Sequence, residues 1–239
     1  MMLTDTVFIR LKQAEHVLIF TGAGVSAESG IKTFRDHSTG LWEGVDPMQV
    51  ATPEAFAENP QRVWDFYVAR AETVRKAAPN AAHLAIAQLS AAVKRLTLVT
   101  QNVDGLHQKA GSKAVLELHG NIFKLKPFDN EEAAFADGGS PVICHVCDGY
   151  ADPDDICDYA SREDFDAIQL VARPVPKCPG CASLLRPSVT WFGERLDPQI
   201  LSDAIAAVEQ CDCLLCIGSS LAVEPASTLP RRALVYCVN

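Results

Sequence analysis

The strongest constraint on this chain is the run Val17-Leu18-Ile19-Phe20-Thr21-Gly22-Ala23-Gly24-Val25-Ser26-Ala27-Glu28-Ser29-Gly30. Four consecutive apolar residues predict a short buried strand. The glycines that follow predict a tight turn, because Gly22 and Gly24 can take positive φ and let the backbone approach a ligand. Ser26, Glu28 and Ser29 suit the mouth of a helix, whose free N–H groups bind phosphate. Together these features point to a pyrophosphate site in an α/β fold. The pattern departs from G-x-G-x-x-G, since the next glycine after Gly24 is Gly30. No acidic residue ends a second strand at the distance the ordinary dinucleotide fingerprint wants. Spacing alone leaves a ligand-free strand-to-helix turn as the alternative.

The rest of the chain alternates helix and strand patterns. Helices are predicted over 3–15, 60–77 and 80–89, the last capped by Asn80, and Thr52-Pro53 reads as an N-cap with proline at the first helical position. Strands are predicted over 95–100 and 114–118. Gln101, Asn102, Val103 and Asp104 then fall just beyond one strand and His119 at the exit of the next, where open α/β sheets place ligands. From 121 to 186 acids, Pro, Gly and paired cysteines gather, which reads as a loop-rich insert. The alternation resumes with 187–192, a helix near 198–209, a strand over 211–217, a turn at Gly218 and a strand over 235–238.

The formal charge of -9 argues against a general nucleic-acid-binding surface and suits basic partners. No apolar run reaches membrane-spanning length, and the N-terminal residues lack the charge and hydrophobicity of a secretory signal. The nine cysteines are odd in number, and four stand as Cys144-His-Val-Cys147 and Cys178-Pro-Gly-Cys181. That usage fits an intracellular, reducing compartment and a metal better than a disulfide framework. Four thiolates favour Zn²⁺ and close its shell, so the ion is expected to be structural rather than to activate water. Cys157 or His145 replacing one ligand, or four reduced thiols, are the alternatives.

Gly22-Ala-Gly-Val-Ser-Ala-Glu-Ser-Gly-Ile-Lys-Thr-Phe-Arg35 resembles the NAD-binding signature of the sirtuins, which are NAD-dependent protein lysine deacylases. Thr100-Gln-Asn-Val-Asp-Gly-Leu-His107, Leu118-His-Gly120, the two cysteine pairs, Trp191-Phe-Gly-Glu194 and Gly218-Ser-Ser220 match in the same order, so the resemblance spans nearly the whole chain. Lys32 departs from it, where the family usually has proline. The segment from Leu229-Pro230 to Asn239 is also shorter than the family pattern, which continues past that asparagine with another strand and helix.

The resemblance implies a Rossmann-like doubly wound parallel sheet with a smaller zinc-binding domain and a helical insert. The NAD-binding domain would comprise 1–35, 82–118 and 187–239, the cofactor-loop and helical module 36–81, and the zinc domain 119–186. It implies attack of the acyl-lysine oxygen on the nicotinamide ribose, loss of nicotinamide, and transfer of the acyl group to ADP-ribose. His119 would be the general base, a role suited to a side chain that titrates near neutrality. Asn102 and Asp104 would hold the nicotinamide end and its ribose. Gly22, Ala23, Gly24, Ser26, Glu28, Ile31, Thr33, Phe34, Arg35, Trp42, Gln101 and Val103 would complete the cofactor site, with Gly218, Ser219, Ser220 and Asn239 on the adenosine side. Phe192, Gly193 and Glu194 would pair with the substrate peptide backbone by strand addition. His16, His37 and His107 read as structural.

Tyr67 and Arg70 stand three apart on a predicted helix and share a face. A guanidinium beside a phenol suits a carboxylate. A surface arginine beside a half-buried tyrosine is the commoner fate of such a pair. Phe66-Tyr-Val-Ala-Arg70 resembles the motif of the sirtuin branch that removes succinyl, malonyl and glutaryl groups, and Ala51 matches that branch's small pocket residue. Competing functions are plain deacetylation, mono-ADP-ribosyl transfer on the same NAD site, a non-catalytic NAD-responsive module, and a zinc-ribbon nucleic-acid binder. Protein substrates and oligomeric state are not written in the sequence.

Overall fold

The computed structural model describes residues 5–32, 45–128, 174–177, 182–233 and 236–237. They fall into two compact units. The first draws on Met1–Leu41, Ala77–Leu118 and Asp197–Asn239, and the second on Trp42–Lys76 and His119–Leu196.

The first unit is built on a five-stranded parallel sheet. Its strands are β1 (Val17–Thr21), β2 (Leu96–Thr100), β3 (Val115–Glu117), β6 (Cys213–Ile217) and β7 (Tyr236–Cys237), ordered β3-β2-β1-β6-β7. β1 is central because it is buried on both faces: Val17, Leu18, Ile19 and Phe20 are all fully enclosed. Parallel strands covered on both sides read as unbroken apolar runs, which is what Val17–Phe20 and Cys213–Ile217 show. The register sets Thr21 opposite both Thr100 and Ile217, so three strands end level. Helices α1 (Asp5–Gln13), α4 (Ala81–Ala92) and α6 (Pro198–Gln210) belong to this unit, and Leu11, Ala14, Val25 and Ile86 pack with Val17, Ile19, Leu98, Cys213 and Leu215 in one core. Caps fix where these helices start. Asn80 accepts from the N–H groups of Ala82 and His83, and Asp197 accepts from those of Gln199 and Ile200 ahead of Pro198. The short helix α5 (Leu106–Lys109) follows the β2 exit loop.

The second unit pairs α2 (Pro53–Glu58) and α3 (Pro60–Lys76) with an antiparallel ribbon, β4 (Gly120–Pro127) and β5 (Leu185–Val189). Thr52 caps α2, taking the Ala55 N–H at 3.1 Å. α3 buries Val63, Trp64, Tyr67, Ala71 and Val74, a stripe at helical spacing. Trp64, Tyr67, Val68 and Ala71 face Ile122, Leu125 and Pro187 across an apolar cleft. Phe56 is fully buried, with its ring 4.7 Å from Phe128 and 5.5 Å from Trp191. Here one sequence expectation is corrected. Residues 187–192 do not return to the parallel sheet, because β5 pairs with β4, Gly120 opposite Val189. Gly120 makes that pairing possible. Its φ is +75°, and a Cβ there would stand 2.0 Å from the Ser188 carbonyl oxygen. Among the described residues no helix is long and apolar enough to cross a membrane.

Candidate functional site

The β1 exit loop turns at Gly22 into a 3-10 helix, Ala23–Ser29, rather than an α-helix. Gly22 has φ -132°, and neither it nor Gly24 takes positive φ. The glycines serve close approach instead. A Cβ on Gly22 would lie 2.8 Å from the Ser219 Cα, and one on Gly24 2.8 Å from the Gly218 carbonyl oxygen. The β1 and β6 exit turns thus pack backbone on backbone. Gly22 N–H donates to Ile217 O at 3.1 Å and Gly24 N–H to Gly218 O at 2.8 Å.

Ser26, in the middle of that loop, is 1% exposed and centres a knot of polar side chains. Its hydroxyl donates to Asp104 Oδ2 at 2.7 Å and accepts from Asn102 Nδ2 at 3.1 Å. The second Asp104 oxygen takes the Leu106 N–H at 2.9 Å, which starts α5. Beneath the knot, Thr21 Oγ1 donates to Thr100 Oγ1 at 2.8 Å, and Thr100 Oγ1 accepts the Asn102 N–H at 3.1 Å. His107 Nε2 lies 3.0 Å from Thr21 Oγ1. The His107 Nδ1 is buried with no hydrogen-bond partner among the described residues. The His83 ring lies against His107, 4.8 Å between centroids and tilted by 58°, with its Nε2 3.4 Å from Ser26 Oγ. Burial, then the neighbouring His83, push His107 down to about 4, although Asp104 pulls the other way. Burial likewise lowers His83 against the pull of Asp104. Both rings are neutral at pH 7.

The structure therefore gathers the predicted Ser26, Asn102 and Asp104 into one cluster at the C-terminal end of the parallel strands. Ser219 joins the same edge by donating to Gln101 Oε1 at 3.1 Å. Ile31 is buried and its N–H reaches Ser26 O at 3.3 Å, Ala23 and Val103 are half-buried, and Glu28 and Ser220 are exposed. Thr33, Phe34, Arg35, Trp42, Asn239 and the cysteines Cys144, Cys147, Cys178 and Cys181 lie outside the described residues. Thr21, Thr100 and His83 are not singled out by the sequence, and His107 reads there as structural. The one signal for His107 was its place inside the block Thr100–His107.

The remaining predicted residues belong to the second unit. His119 stands just before β4, half-buried, and its carbonyl accepts the Thr190 N–H at 2.9 Å. Ala51 is buried, and its carbonyl takes the Phe192 N–H at 3.0 Å. Tyr67 is 7% exposed and its hydroxyl accepts from Trp191 Nε1 at 2.9 Å. Burial raises the Tyr67 phenol well above its usual range, against the pull of Trp191, Arg186 and Arg70. Arg70, three residues on, is half-buried.

The Trp191–Glu194 turn, expected to pair with a peptide backbone, is braced by its own side chains. The Glu194 carboxylate turns inward to protein partners. It binds the fully buried Arg186, including Arg186 Nη2 at 2.9 Å, and takes the Trp191 N–H at 2.6 Å. Burial alone would raise the Glu194 carboxyl, but the Arg186 hydrogen bonds and charge outweigh it and hold it low. The N–H groups of Phe192 and Glu194 are given to Ala51 O and Trp191 O.

A model of the Sir2 family matches residues 22–225. This chain belongs to the Sir2 family. Curated relatives extend the match. An NAD-dependent protein deacylase of Ralstonia nicotianae is 45% identical over 93% of this chain and 78% of its own length. The NAD-dependent protein deacylase sirtuin-5, mitochondrial, of Danio rerio is 43% identical over 90% of this chain and 69% of its own. Among solved structures, a Sir2 homologue in complex with NAD superposes with a TM-score of 0.73 at 36% identity, covering 97% of this chain and 78% of that one. The parallel sheet and its helices are the Rossmann-like core of the Sir2 fold.

Proposed function

We propose that this Sir2 chain is an NAD-dependent protein lysine deacylase with a preference for acyl groups that end in a carboxylate. The buried Ser26–Asp104–Asn102 cluster at the ends of β1 and β2 carries the NAD reading. Its residues are almost enclosed yet polar, at the sheet edge where α/β folds take nucleotides. They fit the cofactor chemically. The edge offers an amide, a carboxylate and hydroxyls, and Ser29 Oγ is buried with no partner among the described residues.

NAD, when bound, would supply an electrophilic ribosyl carbon for attack by the acyl oxygen, nicotinamide as the leaving group, and a ribose hydroxyl to carry the acyl group away. Asn102 and Asp104 hold the nicotinamide end and its ribose hydroxyls, with Ser26 fixing both side chains. Ile31 and Ala23 wall the pocket against water. Gly218, Ser219 and Ser220 receive the adenosine side. His119 would serve as the general base, holding on a ring nitrogen a proton from a ribose hydroxyl. Ala51, Tyr67 and Arg70 receive the acyl group, with Arg70 pairing to its distal carboxylate. Cys144, Cys147, Cys178 and Cys181 hold a structural Zn²⁺ that takes no part in proton transfer. The substrates are acylated proteins, as the relatives' names support.

The test incubates the protein with succinyl-lysine and acetyl-lysine peptides, with and without NAD, and follows peptide mass and free nicotinamide. Succinyl loss that requires NAD, faster than acetyl loss, is expected. No NAD-dependent loss from either peptide overturns the deacylase reading. Acetyl loss as fast as succinyl loss overturns the acyl preference alone.

A further inference from the structure

Trp191 is 3% exposed and is held from three sides. The Arg186 guanidinium carbon lies 3.3 Å from its ring centroid. Its backbone N–H is given to Glu194 Oε2, and its indole N–H to the Tyr67 hydroxyl. Arg186 cannot drift, because it also donates to the Val189 carbonyl at 2.7 Å and is clamped by Glu194. The two aromatic rings lie 6.2 Å apart and tilted by 34°. Trp191 is therefore a fixed donor on a fixed ring.

That geometry sets the polarity of the phenol. An indole N–H donates only, whereas a phenolic oxygen can accept and donate. The Tyr67 oxygen is thus the acceptor in this bond, and its single proton must point away from Trp191. Burial keeps the phenol protonated, so that proton is always present. Among the described residues no acceptor takes it. A phenol with its acceptor side filled and its proton free to give suits an anionic oxygen better than a neutral donor. Arg70, three residues along the same helix, brings positive charge to the same phenol, as its pull on the Tyr67 hydroxyl shows.

We propose that Trp191 is a specificity-positioning residue whose indole N–H turns the Tyr67 hydroxyl into a directed donor for the distal carboxylate of an acidic acyl-lysine. The inference rests on the reading above that Tyr67 and Arg70 receive that carboxylate. It adds that selectivity depends on a residue outside that pair, in the turn after β5. Acetyl-lysine, with no distal carboxylate, gains nothing from the arrangement.

The experiment is a double-mutant cycle in the full chain, read as the ratio of kcat/KM for succinyl- and acetyl-lysine peptides. Trp191→Phe keeps a ring over Arg186 and removes the donor. It is expected to lower the ratio about 3- to 10-fold, the effect of misdirecting one hydrogen bond. In a Tyr67→Phe background the same substitution is expected to change the ratio less than about 2-fold, because the proton it directs is gone. Equal losses in both backgrounds would show that Trp191 acts through packing and overturn the proposal. Should Trp191→Phe not fold, judged by lost acetyl turnover, Tyr67→Phe decides alone, and an unchanged ratio there overturns it. Arg70→Met separates the two levels. If it leaves the ratio unchanged, the acidic-acyl reading itself has failed. If it lowers the ratio while Trp191→Phe does not, only the role of Trp191 falls.

Discussion

Gly24 and Gly218 meet backbone to backbone, with the Gly24 N–H 2.8 Å from the Gly218 carbonyl oxygen. Gly218 has φ +62°, and a Cβ on it would lie 2.2 Å from the Val25 nitrogen. An L-residue pays about 1–2 kcal/mol for left-handed backbone alone. The contact with Val25 adds to that, and no flexible side chain is there to yield. Gly218→Ala is expected to lower the unfolding free energy by at least about 2 kcal/mol. Urea denaturation measures it, and a midpoint equal to wild type would mean the two turns are not packed this way.

Ser26 joins Asp104 to Asn102, so Ser26→Ala strands a carboxylate oxygen and an amide together. The loss should fall on cofactor handling, since both groups are proposed to hold the nicotinamide ribose. A roughly 10-fold or larger drop in kcat/KM for NAD is expected, the equivalent of one hydrogen bond to a charged group. Ser26→Thr, which keeps the hydroxyl, should recover part of it. Unchanged NAD kinetics in Ser26→Ala would remove this cluster from the site.

The buried histidines make the first unit acid-sensitive in a stated direction. Burial pushes His107 down to about 4 from the ordinary imidazole value near 6.5, and His83 is also lowered. As pH falls below about 6.5 the unfolded chain binds these protons before the folded one does, so folding stability is lost. For His107 the loss is complete near pH 4 and amounts to on the order of 3 kcal/mol. The slope of unfolding free energy against pH between 7 and 4.5 should be shallower in His107→Gln. An identical slope would mean His107 is not enclosed.

How far the sequence could be read depended on the range of the interaction. The β1 strand and its turn were legible because Val17–Phe20 and the glycines are contiguous, and the α4 cap because Asn80 acts on Ala82 and His83. The purpose of Gly22 and Gly24 was not legible, since the backbone they make room for arrives nearly two hundred residues later, at Gly218 and Ser219. The place of His83 in the site and the partners of His107 are not legible for the same reason. Their partners Ser26 and Thr21 are 57 and 86 residues away. β5 was assigned to the wrong sheet because a short apolar run looks alike whether its neighbour runs parallel or antiparallel. The side-chain partner of Glu194 is not legible either, because nothing local announces that Arg186, eight residues earlier, is fully buried and needs its charge met.

The zinc proposal has a direct test. Metal binding to a closed four-thiolate shell is coupled to folding. Wild-type protein should carry one equivalent of zinc by elemental analysis, and Cys178→Ser should lose it and unfold at lower temperature. Stoichiometric zinc retained in Cys178→Ser would sink the assignment of Cys144, Cys147, Cys178 and Cys181.

Arg186 and Glu194 form a buried ion pair, and that sets an asymmetry between single and double substitution. Glu194→Gln leaves the Arg186 guanidinium enclosed with its charge unmet, which typically costs about 3–5 kcal/mol. Arg186→Met strands the carboxylate instead, and it also withdraws the cation from the Trp191 ring. The double substitution Arg186→Met with Glu194→Gln removes both charges and keeps an amide oxygen to accept the Trp191 N–H, now held by Glu194. It should therefore be more stable than Glu194→Gln alone, although it has lost more native contacts. The sign of the coupling is the test, measured by chemical denaturation of the four proteins at pH 7. The pH dependence gives a second check on the same pair. Glu194 is held below its usual value, so its contribution is present above about pH 4.5 and lost as acid protonates it in the folded state. That acid-dependent loss should be absent from the double variant. If the two single losses simply add, Arg186 and Glu194 act independently, and the turn that carries Trp191 is held by its apolar contacts with Phe56 and Tyr67 instead.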